Sequence, residues 1–178
     1  PLNDFGIKQA EAAATRLADC SAVAIYSSSL KRTMMTAEPI SAKLGLVTQP
    51  LEGLIDIDFG SWQGLSTEEA LAQDSDLYQQ WIQTPQNARF PQGEGLQDIR
   101  DRVINVIDMV LANHRGEKVI LVSHVVVCRV FICTVLGLDN SHFWQIGQDV
   151  NAINTIGFRE GKLVLNSLND TCHLKGLK

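Results

Sequence analysis

The chain has 178 residues, of which 45% are hydrophobic and 20% charged, and its formal net charge is -5 at pH 7. This length and composition predict one globular domain over residues 1–178 with a sizeable core. The acidic balance and the scattered Lys and Arg residues argue against a nucleic-acid partner, and no apolar run reaches the roughly 18 residues of a membrane span. Four cysteines without paired or metal-finger spacing predict reduced thiols in a cytoplasmic protein.

Helical and strand-like stretches alternate along the chain. In chain order, apolar periodicity and capping residues predict a helix at 4–19, a strand at 22–28, a helix at 30–44, a short strand at 46–50, a glycine-punctuated loop at 51–66, a helix beginning at 66, a helix at 75–82, a break at 84–95, a helix at 96–114, a strand at 118–122, a helix at 125–138, and strands at 152–159 and 162–168. Glu160-Gly161 joins the last two strands as a hairpin. The alternation predicts a three-layer α/β/α domain with a mostly parallel sheet and a C-terminal β-hairpin at an edge.

Polar residues follow two of the predicted strands where each strand meets the next helix. His124 follows the strand at 118–122, and Arg32 lies in the first helical turn after three serines that end the strand at 22–28. Ligands of open parallel sheets bind at the carboxyl ends of the strands, and a guanidinium can bind a phosphate through two hydrogen bonds. The alternatives are a core histidine bonded to a backbone carbonyl and a surface arginine. Two such junctions in one chain favour an anion site.

The loop at 51–66 contains two carboxylates, Asp56 and Asp58, in apolar surroundings. Such surroundings can raise the pKa of a carboxyl group and suit a general acid, whereas an Asx-type turn before Gly60 is the structural alternative. The run "DIDFG" superficially resembles the motif of magnesium-dependent haloacid-dehalogenase-type phosphatases, but Gly60 occupies its fifth position. A cysteine phosphatase needs Cys and Arg six residues apart, and none of the four cysteines meets that requirement.

Six stretches of the chain occur in the order and spacing of a known family. They are "PLNDFGIKQA", "YSSSLKRTMMTAE", "LIDIDFGSWQG", "FPQGEGLQDIRDRV", "ILVSHVVVCRV" and "NDTCHL". Over nearly its whole length the chain resembles the histidine phosphatase superfamily, which has the phosphoglycerate mutase-like fold. Its small size and the closing "NDTCHL" are similar to the phosphatase branch that includes alpha-ribazole phosphatases and broad-specificity phosphatases.

The resemblance implies a role for individual residues. Arg32 matches the arginine that binds the phosphoryl group, and His124 matches the second active-site histidine, which donates a hydrogen bond to a phosphoryl oxygen. Asp56 takes the place of the acid that protonates the leaving oxygen. Val125 stands where the family usually has a glycine. Further candidates for substrate contact are Glu94, Gln63 and His173, together with Trp62, Trp81 and Arg129, for which packing is an equally good explanation.

The resemblance also implies an activity. It is hydrolysis of a small phosphorylated metabolite through a phosphohistidine intermediate, without a metal or another cofactor. The attacking histidine of the family belongs to an Arg-His-Gly motif upstream of the "PLNDFG" segment, so we expect a first strand and a nucleophile loop to precede these residues, which alone would be inactive. The alternatives are a phosphoglycerate mutase and a non-catalytic phosphate-ester-binding module that retains Arg32 and His124.

Overall fold

The structure is a computed structural model that describes residues 1–177. Its helices are α1 (Asp4–Leu17), α2 (Lys31–Leu44), α3 (Thr67–Gln73), α4 (Ser75–Gln83), α5 (Leu96–Asn113) and α6 (Val125–Val135). Its strands are β1 (Ala22–Ser27), β2 (Thr48–Pro50), β3 (Lys118–Val122), β4 (Ile153–Arg159) and β5 (Lys162–Asp170). Short 3-10 turns lie at Glu52–Leu54, Gly60–Trp62, Pro85–Asn87, Asn140–Gln145 and Cys172–Leu174. The predicted alternation of helices and strands is confirmed.

Capping residues that are visible in the sequence fix the ends of several helices. The Asn3 side chain accepts a hydrogen bond from the Gly6 amide at 2.8 Å and begins α1. Ser66 and Glu69 form a reciprocal capping box at the start of α3. Gly45 ends α2 in the left-handed region, with φ of 66°. These caps satisfy amides and carbonyls that a helix leaves without partners at its ends.

A three-stranded parallel sheet has the order β2-β1-β3. Ile25 of β1 lies opposite Thr48 of β2 on one side and opposite Ile120 of β3 on the other. The ladder continues past the end of β1, because the Ser28 amide donates to the Val122 carbonyl at 3.0 Å. The carboxyl ends of β1 and β3 are therefore neighbours, and the segments that leave them start side by side.

Helices lie on both faces of this sheet. On one face, Ile25 packs with Ile120 against α1 and α2, in a cluster with alanines of both helices. Tyr26 points to the other face, where its hydroxyl group is 3.0 Å from Nε2 of His114, the residue that ends α5. On that side α5 and α6 pack on each other through Val103 and Val127. The described residues thus form the predicted three-layer α/β/α arrangement around a parallel sheet.

The C-terminal hairpin forms a second, antiparallel sheet of β4 and β5. Glu160 and Gly161 turn the chain with positive φ values of 50° and 78°, as the predicted two-residue turn requires. Ile156 and Leu165 of the hairpin pack near the end of α6. Among residues 1–177, β3 has a strand neighbour on one edge only, and its residues after Lys118 are half-buried.

The cysteines within residues 1–177 form no disulfide. Cys20, Cys128, Cys133 and Cys172 are free thiols. No helix within residues 1–177 is both long enough and apolar enough to cross a lipid bilayer. In that part of the chain, no group of three His, Cys, Asp or Glu side chains is arranged to hold a metal ion.

Candidate active site

The structure brings Arg32, Asp56 and His124 into direct contact. Nη2 of Arg32 donates to Oδ2 of Asp56 at 2.8 Å, and Nε of Arg32 donates to Nδ1 of His124 at 3.2 Å. Oδ2 of Asp56 is 3.4 Å from the same Nδ1. The His124 side chain is 5% exposed, whereas that of Arg32 is 48% exposed. The cluster therefore has a buried histidine at its base and a guanidinium that an incoming ligand can reach.

Arg32 and His124 are in contact because the strands that precede them, β1 and β3, end side by side. α2 begins at Lys31, which puts Arg32 in its first turn beyond the end of β1. His124 is extended, with φ of -121° and ψ of 159°, and caps the start of α6 beyond the end of β3. Val125 is the first residue of α6, so its backbone has ordinary helical angles and does not need the usual glycine. Both helices thus begin beside the cluster, and a helix N-terminus is a favourable setting for an anion.

His124 is a neutral imidazole in this arrangement. Nε of Arg32 can only donate, so Nδ1 of His124 must accept and carries no proton. The proton is then on Nε2, which lies 2.9 Å from the hydroxyl oxygen of fully buried Ser28. In this arrangement neither ring nitrogen donates to a ligand, so the hydrogen bond to a phosphoryl oxygen that the resemblance implies requires these contacts to change. Burial lowers the pKa of His124 to about 4, the Asp56 carboxylate opposes the shift, and the Arg32 and Arg102 charges add to it.

This lowered pKa predicts a pH dependence of stability. Below its ordinary value of 6.5, His124 is protonated in the unfolded chain but stays neutral in the folded one until about pH 4. The unfolded state binds more protons in that window, so the free energy of unfolding falls as pH drops from 6.5 toward 4. Urea unfolding at about pH 7 and about pH 5 measures the loss.

The matched variants for that measurement are His124→Gln and His142→Gln. His142 has a side chain that is 36% exposed. We expect His124→Gln to show a smaller loss of stability between the two pH values than the wild type, and His142→Gln to behave like the wild type. An unchanged loss in His124→Gln contradicts the assignment of a buried neutral imidazole.

Asp56 and Asp58 have different local roles. We call residues 51–66 the acid loop. Asp58 forms the predicted Asx-type turn, because its Oδ1 accepts from the Gly60 amide at 2.8 Å. Oδ1 of Asp56 accepts from the Ile57 amide at 3.0 Å, which leaves Oδ2 directed at Arg32 and His124. Of the two carboxylates, Asp56 is therefore the one in contact with the cluster.

Backbone contact between two glycines joins the acid loop to residues 91–95. A Cβ added to Gly60 would lie 2.7 Å from the Gly93 amide nitrogen and closer still to the Pro91 carbonyl oxygen. Gly60 also has φ of +52°, which favours glycine. At Gly93, a Cβ would lie 2.6 Å from the Gly60 nitrogen. No side chain fits between the two segments without moving them apart.

Replacing Gly60 by alanine is expected to lower the free energy of unfolding by about 3 kcal/mol or more, because backbone strain and a steric clash add together. Gly64→Ala is the matched control, since Gly64 also has a positive φ, +83°, but has open space around its Cβ position. The control is expected to lose only about 1 kcal/mol. Chemical denaturation of both variants gives the comparison, and equal losses would contradict the close contact.

The remaining substrate-contact candidates lie in three places. Both carboxylate oxygens of Glu94 are bonded within the protein, to Arg102 and to the Asp58 amide. Gln63 is exposed just after the 3-10 turn at residues 60–62. His173 lies in the last 3-10 turn, which packs against α1, and both of its ring nitrogens are shielded from solvent. Burial lowers the pKa of His173.

The two tryptophans and Arg129 belong to an aromatic cluster. Trp62 is buried and its ring centroid is 5.2 Å from that of Phe90. The ring centroid of Trp81 is 5.4 Å from that of Phe90. The backbone carbonyl of Trp81 accepts a hydrogen bond from the indole nitrogen of Trp144 at 2.7 Å. The guanidinium of Arg129 lies over the Trp144 ring, 4.9 Å from its centroid. Packing accounts for these residues.

Comparison with known proteins agrees with the site. A sequence profile of the histidine phosphatase superfamily (branch 1) matches residues 1–171. The chain belongs to the histidine phosphatase superfamily. Phosphoserine phosphatase 1 of Hydrogenobacter thermophilus is 35% identical over 173 residues, which cover 97% of this chain and 82% of that protein. The metal-independent phosphoserine phosphatase of Arabidopsis thaliana is 31% identical over 99% of this chain and 74% of its own length.

Solved structures with the phosphoglycerate mutase-like fold superpose on this chain, which confirms the predicted fold. YhfR of Bacillus stearothermophilus superposes with a TM-score of 0.94 over 98% of this chain and 87% of its own, at 24% identity. The alpha-ribazole phosphatase of Shigella flexneri gives a TM-score of 0.85 over 96% of this chain and 84% of its own, at 26% identity. The resemblance that the six sequence motifs indicate is confirmed.

The sequence prediction did not include two residues of the site, Ser28 and Arg102. Ser28 was one of three consecutive serines with nothing to distinguish it, yet it is the residue that bonds Nε2 of His124. Its position directly after β1 was the available signal. Arg102 lies in the middle of α5 and contacts the acid loop. Its polar position between Ile99 and Val103, which are buried, looks like an ordinary solvent-facing one.

Proposed function

We propose that the protein hydrolyses small phosphomonoesters through a phosphohistidine intermediate. The observation that carries this proposal is the contact among Arg32, Asp56 and His124 at the carboxyl ends of two neighbouring parallel strands. One cation, one carboxylate and one imidazole supply what phosphoryl transfer needs, namely stabilisation of the equatorial oxygens and a proton for the leaving group. The superfamily membership supports the same chemistry.

The reaction has two displacement steps. A bound phosphate displaces the Asp56 carboxylate from Arg32, and the carboxylate takes up a proton from solvent. A histidine nitrogen then attacks phosphorus in line, the bond from phosphorus to the ester oxygen breaks, and Asp56 gives its proton to that oxygen. A water molecule then attacks phosphorus, Asp56 takes a proton from the water, and the bond from phosphorus to nitrogen breaks. Arg32 stays bonded to the phosphoryl oxygens throughout, and His124 lies beside them. In each step, the charge on the transferred group stays next to fixed donors.

The attacking histidine belongs, in this proposal, to a segment that precedes Pro1. His114 is bonded to Tyr26 and Glu117, and His142 is bonded to Asp139, so neither lies in the cluster. The edge of β3 that faces away from β1 has no strand neighbour among residues 1–177. That edge ends beside His124 and offers main-chain groups to a further parallel strand. A strand there would deliver its next residue to the cluster.

Phosphoserine is the first substrate to test, because two relatives more than 30% identical are named phosphoserine phosphatases. One of the two is named metal-independent, which supports an activity without a metal cofactor. The site offers a phosphoryl group one cation, a guanidinium that is half exposed. The proposed reaction needs neither a nucleic acid nor a membrane.

The deciding experiment is trapping of the phosphoenzyme. The full-length protein, meaning these residues together with the proposed upstream segment, is mixed with 32P-labelled phosphoserine and quenched in alkali. We expect a protein-bound label that is stable in alkali and lost in acid, as phosphohistidine is, and hydrolysis that EDTA does not inhibit. Hydrolysis without a label, or activity that EDTA abolishes, contradicts the proposal. Binding of phosphoserine without turnover favours the binding module, and interconversion of 3- and 2-phosphoglycerate favours the mutase.

A further inference from the structure

Arg102 holds the backbone of the acid loop. Its Nη1 donates to the carbonyl oxygens of Gly53, at 3.2 Å, and Ile55. Its Nη2 donates to the carbonyl oxygen of Asp56 at 3.1 Å. These carbonyls include the residue just before Asp56 and Asp56 itself. A single side chain of α5 thus fixes the stretch of chain from which the Asp56 carboxylate projects.

Glu94 completes the arrangement from the opposite side. Its Oε1 accepts from Nε of Arg102 at 3.2 Å and its Oε2 accepts from Nη2 at 3.0 Å. The same Oε2 accepts from the Asp58 amide at 2.9 Å, and the Glu94 amide donates to the Asp58 carbonyl at 2.8 Å. Glu94 therefore fixes the backbone two residues after Asp56, while Arg102 fixes the backbone before it.

The contacts use the whole donor capacity of the guanidinium. Arginine has five N–H donors in a rigid plane, and here they meet three backbone carbonyls and both oxygens of one carboxylate. No donor remains for a substrate, and the Arg102 side chain is only 20% exposed. Lysine has three donors on a flexible stem and cannot reproduce this set. The geometry requires arginine in particular.

We propose that Arg102, together with Glu94, is a positioning residue for proton donation by Asp56. The inference rests on the proposed function, in which Asp56 protonates the leaving oxygen. It assigns Glu94 to the acid loop rather than to the substrate. Arg102 and Glu94 hold the loop so that Oδ2 of Asp56 stays within reach of the phosphoryl site, and their loss affects the step that needs the proton more than it affects phosphate binding.

Two substrates with different leaving groups separate this role from a general structural one. Serine leaves phosphoserine as a basic alkoxide that needs a proton, whereas p-nitrophenolate is a weak base that leaves without one. In the full-length protein, Arg102→Lys is expected to lower kcat for phosphoserine about 100-fold, as a displacement of about 1 Å does. The rate of p-nitrophenolate release in the first turnover comes before the water step, which also uses Asp56. This rate and the Kd for inorganic phosphate are expected to change less than about threefold.

Matched variants complete the experiment. Arg100→Lys is the control, since Arg100 lies on the same helix and donates to the Leu138 carbonyl at 2.6 Å, away from the acid loop. It is expected to leave both activities unchanged. Glu94→Gln keeps the size of the side chain but loses its charge, and it is expected to lower kcat for phosphoserine in the same selective way. Thermal unfolding shows whether each variant is folded, and if Arg102→Lys is not, Glu94→Gln decides.

The outcomes distinguish this inference from the function on which it rests. Equal losses on both substrates, a matching loss of phosphate affinity, or no loss at all would each overturn the positioning role. Asp56→Asn, measured alongside, is the reference for a missing proton donor. Suppose that Asp56→Asn loses more activity on phosphoserine than on p-nitrophenyl phosphate, while Arg102→Lys and Glu94→Gln show no such difference. In that case only the present inference fails. If Asp56→Asn shows no selectivity, the acid step of the proposed function fails first.

Discussion

Replacing Arg32 by alanine in the full-length protein is expected to lower kcat/KM for phosphoserine by about 10³-fold or more, the effect of removing an arginine from the charge of a transferred phosphoryl group. Arg32 is the cation of the cluster that touches both Asp56 and His124. Arg32→Lys keeps the charge but loses the planar pair of donors, so we expect a smaller but still large loss. Steady-state kinetics on phosphoserine measures both variants.

Lys31→Ala is the control for the Arg32 variants. Lys31 is the neighbouring cation on α2 and lines a surface groove with Met34 and Met35. If a general positive field at the start of α2 accounts for phosphate affinity, Lys31→Ala has an effect similar to that of Arg32→Ala. If Arg32 binds the phosphoryl group directly, Lys31→Ala stays within about threefold of the wild type. Near-normal kinetics in Arg32→Ala would remove Arg32 from the site.

Replacing Asp56 by asparagine is expected to lower kcat for phosphoserine by about 10² to 10⁴-fold, the usual contribution of a general acid. The amide has nearly the same shape and can still accept hydrogen bonds, but it has no proton to give. For p-nitrophenyl phosphate the first step needs no proton, so kcat/KM, which covers only the steps up to departure of the leaving group, is expected to stay close to the wild-type value. The ratio of the losses in kcat/KM for the two substrates is the measurement.

Asp58→Asn is the matched control in the same loop. Its Oδ1 accepts from the Gly60 amide, and an asparagine oxygen can accept the same bond. We expect this variant to hydrolyse both substrates at close to the wild-type rates. A loss in Asp58→Asn that equals the loss in Asp56→Asn would mean that the shape of the loop, and not a proton, explains both.

Local sequence signals predicted the helices and strands well, because caps and periodicity act over a few residues. The strand at 118–122 has the predicted ends, and α1 begins after its predicted cap, Asn3. The 3-10 helix at Asn140–Gln145 had only a weak signal, its cap at Asp139, whose side chain accepts from the Ser141 amide at 2.9 Å. A helix of that kind has too few residues for periodicity to show.

The site was predictable where chain topology determines it. Arg32 and His124 each follow a parallel strand, so the sheet places them together as soon as the strands are neighbours. The hydrogen-bond partners of Arg102 could not be predicted from short sequence patterns, because Gly53 and Asp56 lie 49 and 46 positions earlier in the chain. Tertiary packing, and not a short pattern, brings α5 to the acid loop.

The ion pair between Arg32 and Asp56 has a consequence for turnover. At 2.8 Å, the carboxylate occupies the guanidinium that a phosphate must use, so the protein carries its own competitor for anions. A phosphate that binds Nη2 of Arg32 must displace that carboxylate. Its apparent affinity is then the intrinsic affinity multiplied by the fraction of molecules in which Arg32 is free. In the proposed reaction, the pair weakens the substrate and inorganic phosphate by the same factor, so it leaves the balance between them unchanged. It lowers the affinity for the released phosphate, because the Asp56 carboxylate pairs with Arg32 again once it has given up the proton taken from water.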